Sequence, residues 1–156
     1  MKKFILLAAI AALFATTNTY AQRGGSGYTT ALGLGIDFGD GSTLVGPSIK
    51  HFFSTNDAIQ GDLLFGGDAT WIGGSYNYHQ PFREAPELKW YIGLGPQVAL
   101  YDGGSTWYLR PAAGLDYKIK SAPISLVFDW RPAIGLSNNV GTAAARFGLG
   151  FRYAFQ

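Results

Sequence analysis

The last twelve residues of the chain, "ARFGLGFRYAFQ" (145–156), decide how the rest is read. Phe147, Leu149, Phe151, Tyr153 and Phe155 fall on every second position. Arg146, Gly148, Gly150, Arg152 and Ala154 fall between them. A period of two is that of a β-strand, whose side chains point alternately to opposite faces. One face is large and greasy, and the other is small or cationic. That pairing suits a strand with hydrocarbon on one side and a narrow polar interior on the other.

The same alternation recurs upstream. Eight strands are predicted, over about 27–38, 43–53, 58–66, 70–80, 88–100, 107–118, 124–135 and 143–155. The breaks between them are "GDGS" (39–42), "STND" (54–57), "GGDA" (66–69), "REAPE" (83–87), "DGGS" (102–105), "KSAP" (120–123) and "SNNVGT" (137–142). Gly, Asn, Asp, Ser and Pro dominate them, as tight turns require. No useful stretch shows helical periodicity.

Charge placement chooses between β architectures. Within strands, Asp37, Lys50, Asp62, Lys89, Arg110, Asp116, Lys118, Asp129, Arg131, Arg146 and Arg152 all fall on the face holding small and polar residues. The remaining charges of the expected mature chain fall in the N-terminal segment or in turns, from Arg23 to Lys120. A soluble ligand-binding barrel would be apolar inside and polar outside. Here the order is reversed. In hydrocarbon every backbone donor and acceptor must be paired within the protein, so strands can span only as a closed cylinder. Strands of ~9–11 residues suit a tilted crossing, and a charge on the lipid face costs roughly 2–4 kcal/mol near the midplane. The fold expected is an all-β, closed, antiparallel, eight-stranded transmembrane up-and-down barrel with short loops.

The N-terminus fits export. Lys2 and Lys3 precede an apolar run from Phe4 to Phe14, and Thr19-Tyr20-Ala21 precedes an expected cut. Residues 1–21 read as a signal peptide and 22–156 as one barrel domain. The apolar run is too short for a spanning helix. The chain has 12 Lys and Arg against 10 Asp and Glu, and two of those lysines belong to the leader. The mature chain is thus formally neutral, which gives no electrostatic footprint for nucleic acid. There is no cysteine, and so no disulfide framework or thiolate chemistry.

With both ends of the barrel placed in the periplasm, Tyr28, Phe53, Tyr76, Tyr78, Trp90, Tyr117, Tyr153 and Phe155 collect as a periplasmic aromatic girdle. Phe38 and Phe65 mark a thinner outer one. His51 and His79 are the only histidines, and they are assigned to the interface and the lumen respectively. They make a poor metal site without cysteine, and no metal or cofactor is expected. "GLGIDFG" (33–39) and "GLGPQV" (93–98) precede no helix, so they are not phosphate loops.

The segments "LKWYIGLGPQV" (88–98), "YLRPAAGLDYKI" (108–119), "SLVFDWRPAIGLS" (125–137) and "FGLGFRYAF" (147–155) resemble small eight-stranded outer-membrane barrels. The likeness is to the OmpA-transmembrane and OmpX-like type, in its Gly- and aromatic-rich Bacteroidota form. It implies a monomer in the outer membrane of a Gram-negative bacterium. Its partners would be outer-membrane lipid and lipopolysaccharide, with the barrel-assembly machinery and periplasmic chaperones during biogenesis. The role implied is membrane integrity or surface interaction, without catalysis.

Two alternatives stand beside it. "IGLSNNV" (134–140) resembles outer-membrane lipid A deacylases, which would make the chain a lipid-modifying hydrolase; Ser137 and Asn138 match, but Gly135 stands where that family has its His. A serine without its base is a weak nucleophile. The seven basic and four acidic interior residues also allow a narrow anion-preferring channel. A packed salt-bridge network is the simpler reading of the same residues, since buried charges demand partners.

Overall fold

The computed structural model describes residues 27–155; the expected leader, 1–21, lies outside the described residues. Ten strands follow one another: β1 (Thr30–Gly39), β2 (Leu44–Phe52), β3 (Asp57–Gly66), β4 (Ala69–Phe82), β5 (Ala85–Tyr101), β6 (Gly104–Lys118), β7 (Ile124–Trp130), β8 (Ala133–Gly135), β9 (Thr142–Ala143) and β10 (Arg146–Phe155). Every neighbouring pair is antiparallel. β1 pairs with both β2 and β10, and β5 joins β4 to β6, so the sheet closes on itself. The small β8–β9 hairpin prolongs the walls of β7 and β10 at one end, where β8 continues the ladder along β6. The result is a closed eight-stranded antiparallel barrel, and closure leaves no long open edge.

The turns form where the residues allow them. Gly67-Asp68, Arg83-Glu84 and Asp102-Gly103 are two-residue connections. Gly67 and Gly103 have φ of 60° and 98°, a region that glycine enters without the Cβ clash. The end carrying the 40–43, 67–68, 102–103 and 136–141 connections is termed the rim. The opposite end, where Thr30 faces Phe155, is termed the base.

Alternation inside each strand sorts side chains between two environments. Leu32, Leu34, Phe128, Leu149 and Phe151 point outward, and Phe151 retains 56% of its free surface. Asp37, Lys50, Asp129 and Arg152 point inward and are at most 1% exposed. Among the described residues the buried apolar cluster is small: Tyr28, Ala31, Phe52, Ala58 and Ala154 at the base. Small inward residues let the walls close around large polar ones. A Cβ on Gly33 would strike the Phe151 carbonyl and lie 2.6 Å from Arg152 Cα.

Three details differ from the sequence reading. First, β1 begins at Thr30, and Tyr28 is turned inward and buried rather than joining the girdle. Gly27 at φ 74° and a bend at Thr29 interrupt the alternation before it reaches Tyr28. Second, the seventh and eighth walls are not continuous. Proline has no N–H to give a ladder, and the chain leaves the sheet at Arg131-Pro132. Pro132 is consequently buried instead of outward. Third, the "REAPE" and "DGGS" breaks are shorter than expected, because β4 and β5 stay paired as far as Phe82 and Ala85, and β5 and β6 as far as Tyr101 and Gly104.

Candidate functional site

All eleven strand charges face the barrel interior, and they divide into three layers along its axis. The rim layer is built on Asp37 of β1, which is fully buried. Arg146 on the neighbouring β10 bonds its carboxylate at 2.7 Å and 2.8 Å, and Arg110 reaches it from β6. Arg110 also donates to Gln97 and to the Arg131 carbonyl. Arg146 donates onward to the carbonyls of Asp40 and Ser42, which ties the β1–β2 turn to the interior.

The middle layer joins opposite walls. Arg131 clamps Asp129, and its other guanidinium nitrogen lies 3.6 Å from Asp62 on β3. Tyr91 donates its hydroxyl to Asp129. Gln60 and Ser48 donate to Asp62. Arg152 in turn donates twice to the Ser48 hydroxyl, at 2.8 Å and 3.1 Å. A cavity of about 30 Å³ remains beside this layer, against Gly73, Ser75, Asn77 and Gln97. That is room for about one water.

The base layer centres on Asp116. Its carboxylate accepts from Lys50 at 2.9 Å, Tyr28 at 2.7 Å and Ser125 at 2.7 Å. His79 Nε2 lies 3.6 Å from the same carboxylate, and its ring is held between Phe52 and Tyr91 at 4.7 Å and 4.8 Å. Lys118 is capped by the carbonyls of Ile119 and Ala122. Lys89 turns to the face of Phe52, 5.1 Å from its centre.

Apolar groups lie towards both ends of the interior. At the base these are Tyr28 and Phe52, in an edge-to-face contact at 5.2 Å. Towards the rim Trp71 stacks on Tyr108 at 5.0 Å, while Leu44 and Leu64 fill the inward positions of β2 and β3. The interior is a column of ion pairs with aromatic side chains towards either end. A column of this kind stabilises only when nearly every charge has a partner.

Seven of the eight residues assigned to the base girdle lie on the outer surface. Phe53, Tyr76, Tyr117, Tyr153 and Phe155 are exposed, and Tyr78 and Trp90 are half-exposed. Phe53 meets Tyr76 at 6.3 Å, and Tyr153 meets Phe155 at 4.9 Å. Tyr28 is the exception. Near the rim Trp107 and Trp130 join Phe38 and Phe65, so the second aromatic band is fuller than the sequence suggested; Trp130 donates its indole N–H to the Ala144 carbonyl at 2.7 Å.

The neutral partners Ser48, Gln60, Gln97, Tyr91 and Ser125 were not among the residues singled out from the sequence. Each shares the inward phase with a charged residue, and that phase was their available signal. Ser137 lies exposed in the rim connection, where its carbonyl accepts from Val140 N–H. Both histidines are at the base: His51 meets Thr30 there, and His79 meets Lys50. No group of three His, Cys, Asp or Glu suited to a metal ion occurs among the described residues. No family model, curated protein or solved structure matches the chain.

Proposed function

We propose that this barrel is an integral outer-membrane protein of a Gram-negative bacterium, of the OmpA-transmembrane and OmpX-like type. Its role is to contribute to membrane integrity without catalysis. One observation carries the reading: a closed cylinder exposes Leu, Ile, Phe, Trp and Tyr around its outside while its charges pair within. Soluble monomers rarely expose apolar patches beyond a few hundred Å², and a lipid bilayer is the solvent that suits such a wall. Aromatic residues gather towards both ends of that wall, where headgroups would lie.

The interior supports a structural role over transport. An eight-stranded barrel has space for side chains or one small ligand, and here side chains occupy it. The rim connections are short, which leaves little area for an adhesive surface. Ser137 has no imidazole near it among the described residues, and a hydrolase needs that base. Outer-membrane lipid and lipopolysaccharide are the proposed surroundings. The barrel-assembly machinery and periplasmic chaperones are the proposed partners in biogenesis.

The test is fractionation followed by gel mobility with and without boiling. The expected result is recovery in the outer-membrane fraction and a faster band before heating, as a folded barrel resists detergent. Recovery as a soluble periplasmic protein would overturn the reading.

A further inference from the structure

Small inward residues leave a gap in the middle of the lumen. Gly73 and Ser75 of β4 and Ala112 of β6 bring little or no side chain to the interior, and all three border the cavity of about 30 Å³. The ladder between β4 and β5 is interrupted beside it. Pairing passes from Gly73 with Gln97 to Tyr76 with Leu94, across Pro96, which has no N–H to give. Gln60, Asp62, Gln97 and Arg110 border the same cavity.

Two of these residues carry a buried polar atom that has no partner among the described residues: Oε1 of Gln60 and Nε of Arg110. Gln60 is 5% exposed and Arg110 7% exposed. The orientation of the Gln60 amide is fixed, because its Nε2 donates to Asp62 at 2.8 Å and a carboxylate only accepts. Its oxygen is therefore the end left over. Both terminal nitrogens of Arg110 are engaged, one with Gln97 and the other with Asp37 and the Arg131 carbonyl. One orphan is thus an acceptor and the other a donor, on two residues that border one small cavity. Leaving either unmet costs the full desolvation penalty of the group.

We propose that this cavity is a built water site, in which one molecule accepts from Arg110 Nε and donates to Gln60 Oε1. The space matches the volume of a single water. The lining chemistry disfavours an ion of either sign. A cation would sit against the guanidinium groups of Arg110 and Arg131, and an anion would face the Gln60 oxygen and the Asp62 carboxylate. A neutral molecule that both gives and accepts suits the two orphans together. Buried waters typically make about three hydrogen bonds, and Asp62, Ser75 and Gln97 border the same space with oxygens for the second hydrogen. The water joins two layers of the interior: Asp37 with Arg110 on the rim side, and Gln60 with Asp62 in the middle. The inference uses the interior alone. It holds whether the outer wall meets lipid or not, so its failure would leave the membrane reading untouched.

The experiment refolds the full-length chain in detergent and looks for the water in two ways. Crystals that diffract well enough to show ordered solvent should carry one density peak within hydrogen-bond distance of both Gln60 Oε1 and Arg110 Nε. Water-selective NMR should give a cross-peak from the Arg110 Hε proton to a long-lived bound water. Gln60→Met keeps the length of the side chain and removes the acceptor, so both the density peak and the cross-peak should be lost. Gln80→Met, on an exposed glutamine, should retain them. If Gln60→Met fails to fold, the wild-type map and cross-peak decide alone. A cavity that is dry in the map, a peak that touches only one of the two atoms, or a cross-peak that survives Gln60→Met would each overturn the proposal.

Discussion

Arg131 and Asp129 lie two residues apart yet form a two-point clamp, and the same guanidinium reaches Asp62 on the facing wall at 3.6 Å. Alternation alone puts the pair side by side along one strand. The break at Pro132 lets the arginine fold back on its neighbour and across the lumen. One residue thereby links β7 with β3.

Arg131→Met should therefore be among the most damaging single changes. It leaves the buried Asp129 with the Tyr91 hydroxyl as its remaining partner. Removing one member of a buried pair typically costs about 3–5 kcal/mol. The double variant Asp129→Leu with Arg131→Met should lose less than the sum of the two single variants. Equilibrium urea unfolding of the reconstituted barrel measures all three.

Tyr28→Phe keeps the ring packed on Phe52 and removes one donor from Asp116. A hydrogen bond to a charged group is worth about 1.5–3 kcal/mol, so the midpoint should fall measurably. Tyr153→Phe, on the outer surface, should change it by much less. Equal effects would place Tyr28 at the interface after all.

Leu34 pairs with Phe151 and Pro47 half way along β1, on the outer surface. Leu34→Arg should lower folding stability in vesicles by roughly 2–4 kcal/mol, the midplane cost of an arginine in lipid. If the wall faced water, the same change would be nearly neutral. Folding yield against vesicle concentration separates the two cases.

Gly33→Ala should block assembly, because the added carbon meets the Phe151 carbonyl and Arg152 Cα at 2.6 Å. Gly74→Ala should fold, since the nearest atom to its added carbon is the Gln60 carbonyl oxygen at 3.8 Å. Heat-modifiable mobility reports each outcome.

Wild-type protein in planar bilayers should show no steady conductance above background. Its interior is occupied by paired side chains, with Tyr28 and Phe52 towards the base and Trp71 and Tyr108 towards the rim. Stable channel events would show that this packing opens.

The eight walls and their two faces were legible because alternation is local. Each strand states its own inward phase, as Arg146 to Phe155 does most clearly. Three kinds of information were not local. The bend that turns Tyr28 inward depends on Gly27 and Thr29 rather than on the period. The partners of Asp37 and Asp62 lie on other strands, and the relative stagger of the strands decides which of them meet. The fold-back of Arg131 needed the break at Pro132, which the surrounding apolar pattern hid.

The walls are unequal in length: β1 has 10 residues and β2 has 9, whereas β5 has 17 and β6 has 15. At ~3.3 Å per residue and a strand inclination near ~40°, the first side stands roughly 25 Å tall and the second roughly 40 Å. Only the low side matches the thickness of an oily film of about 25 Å. The molecule is cut like a slanted reed, so a surrounding sheet of lipid would be gripped flush along β1 and β2 and overtopped along β5 and β6. Such a body has a front and a back in the plane of the sheet.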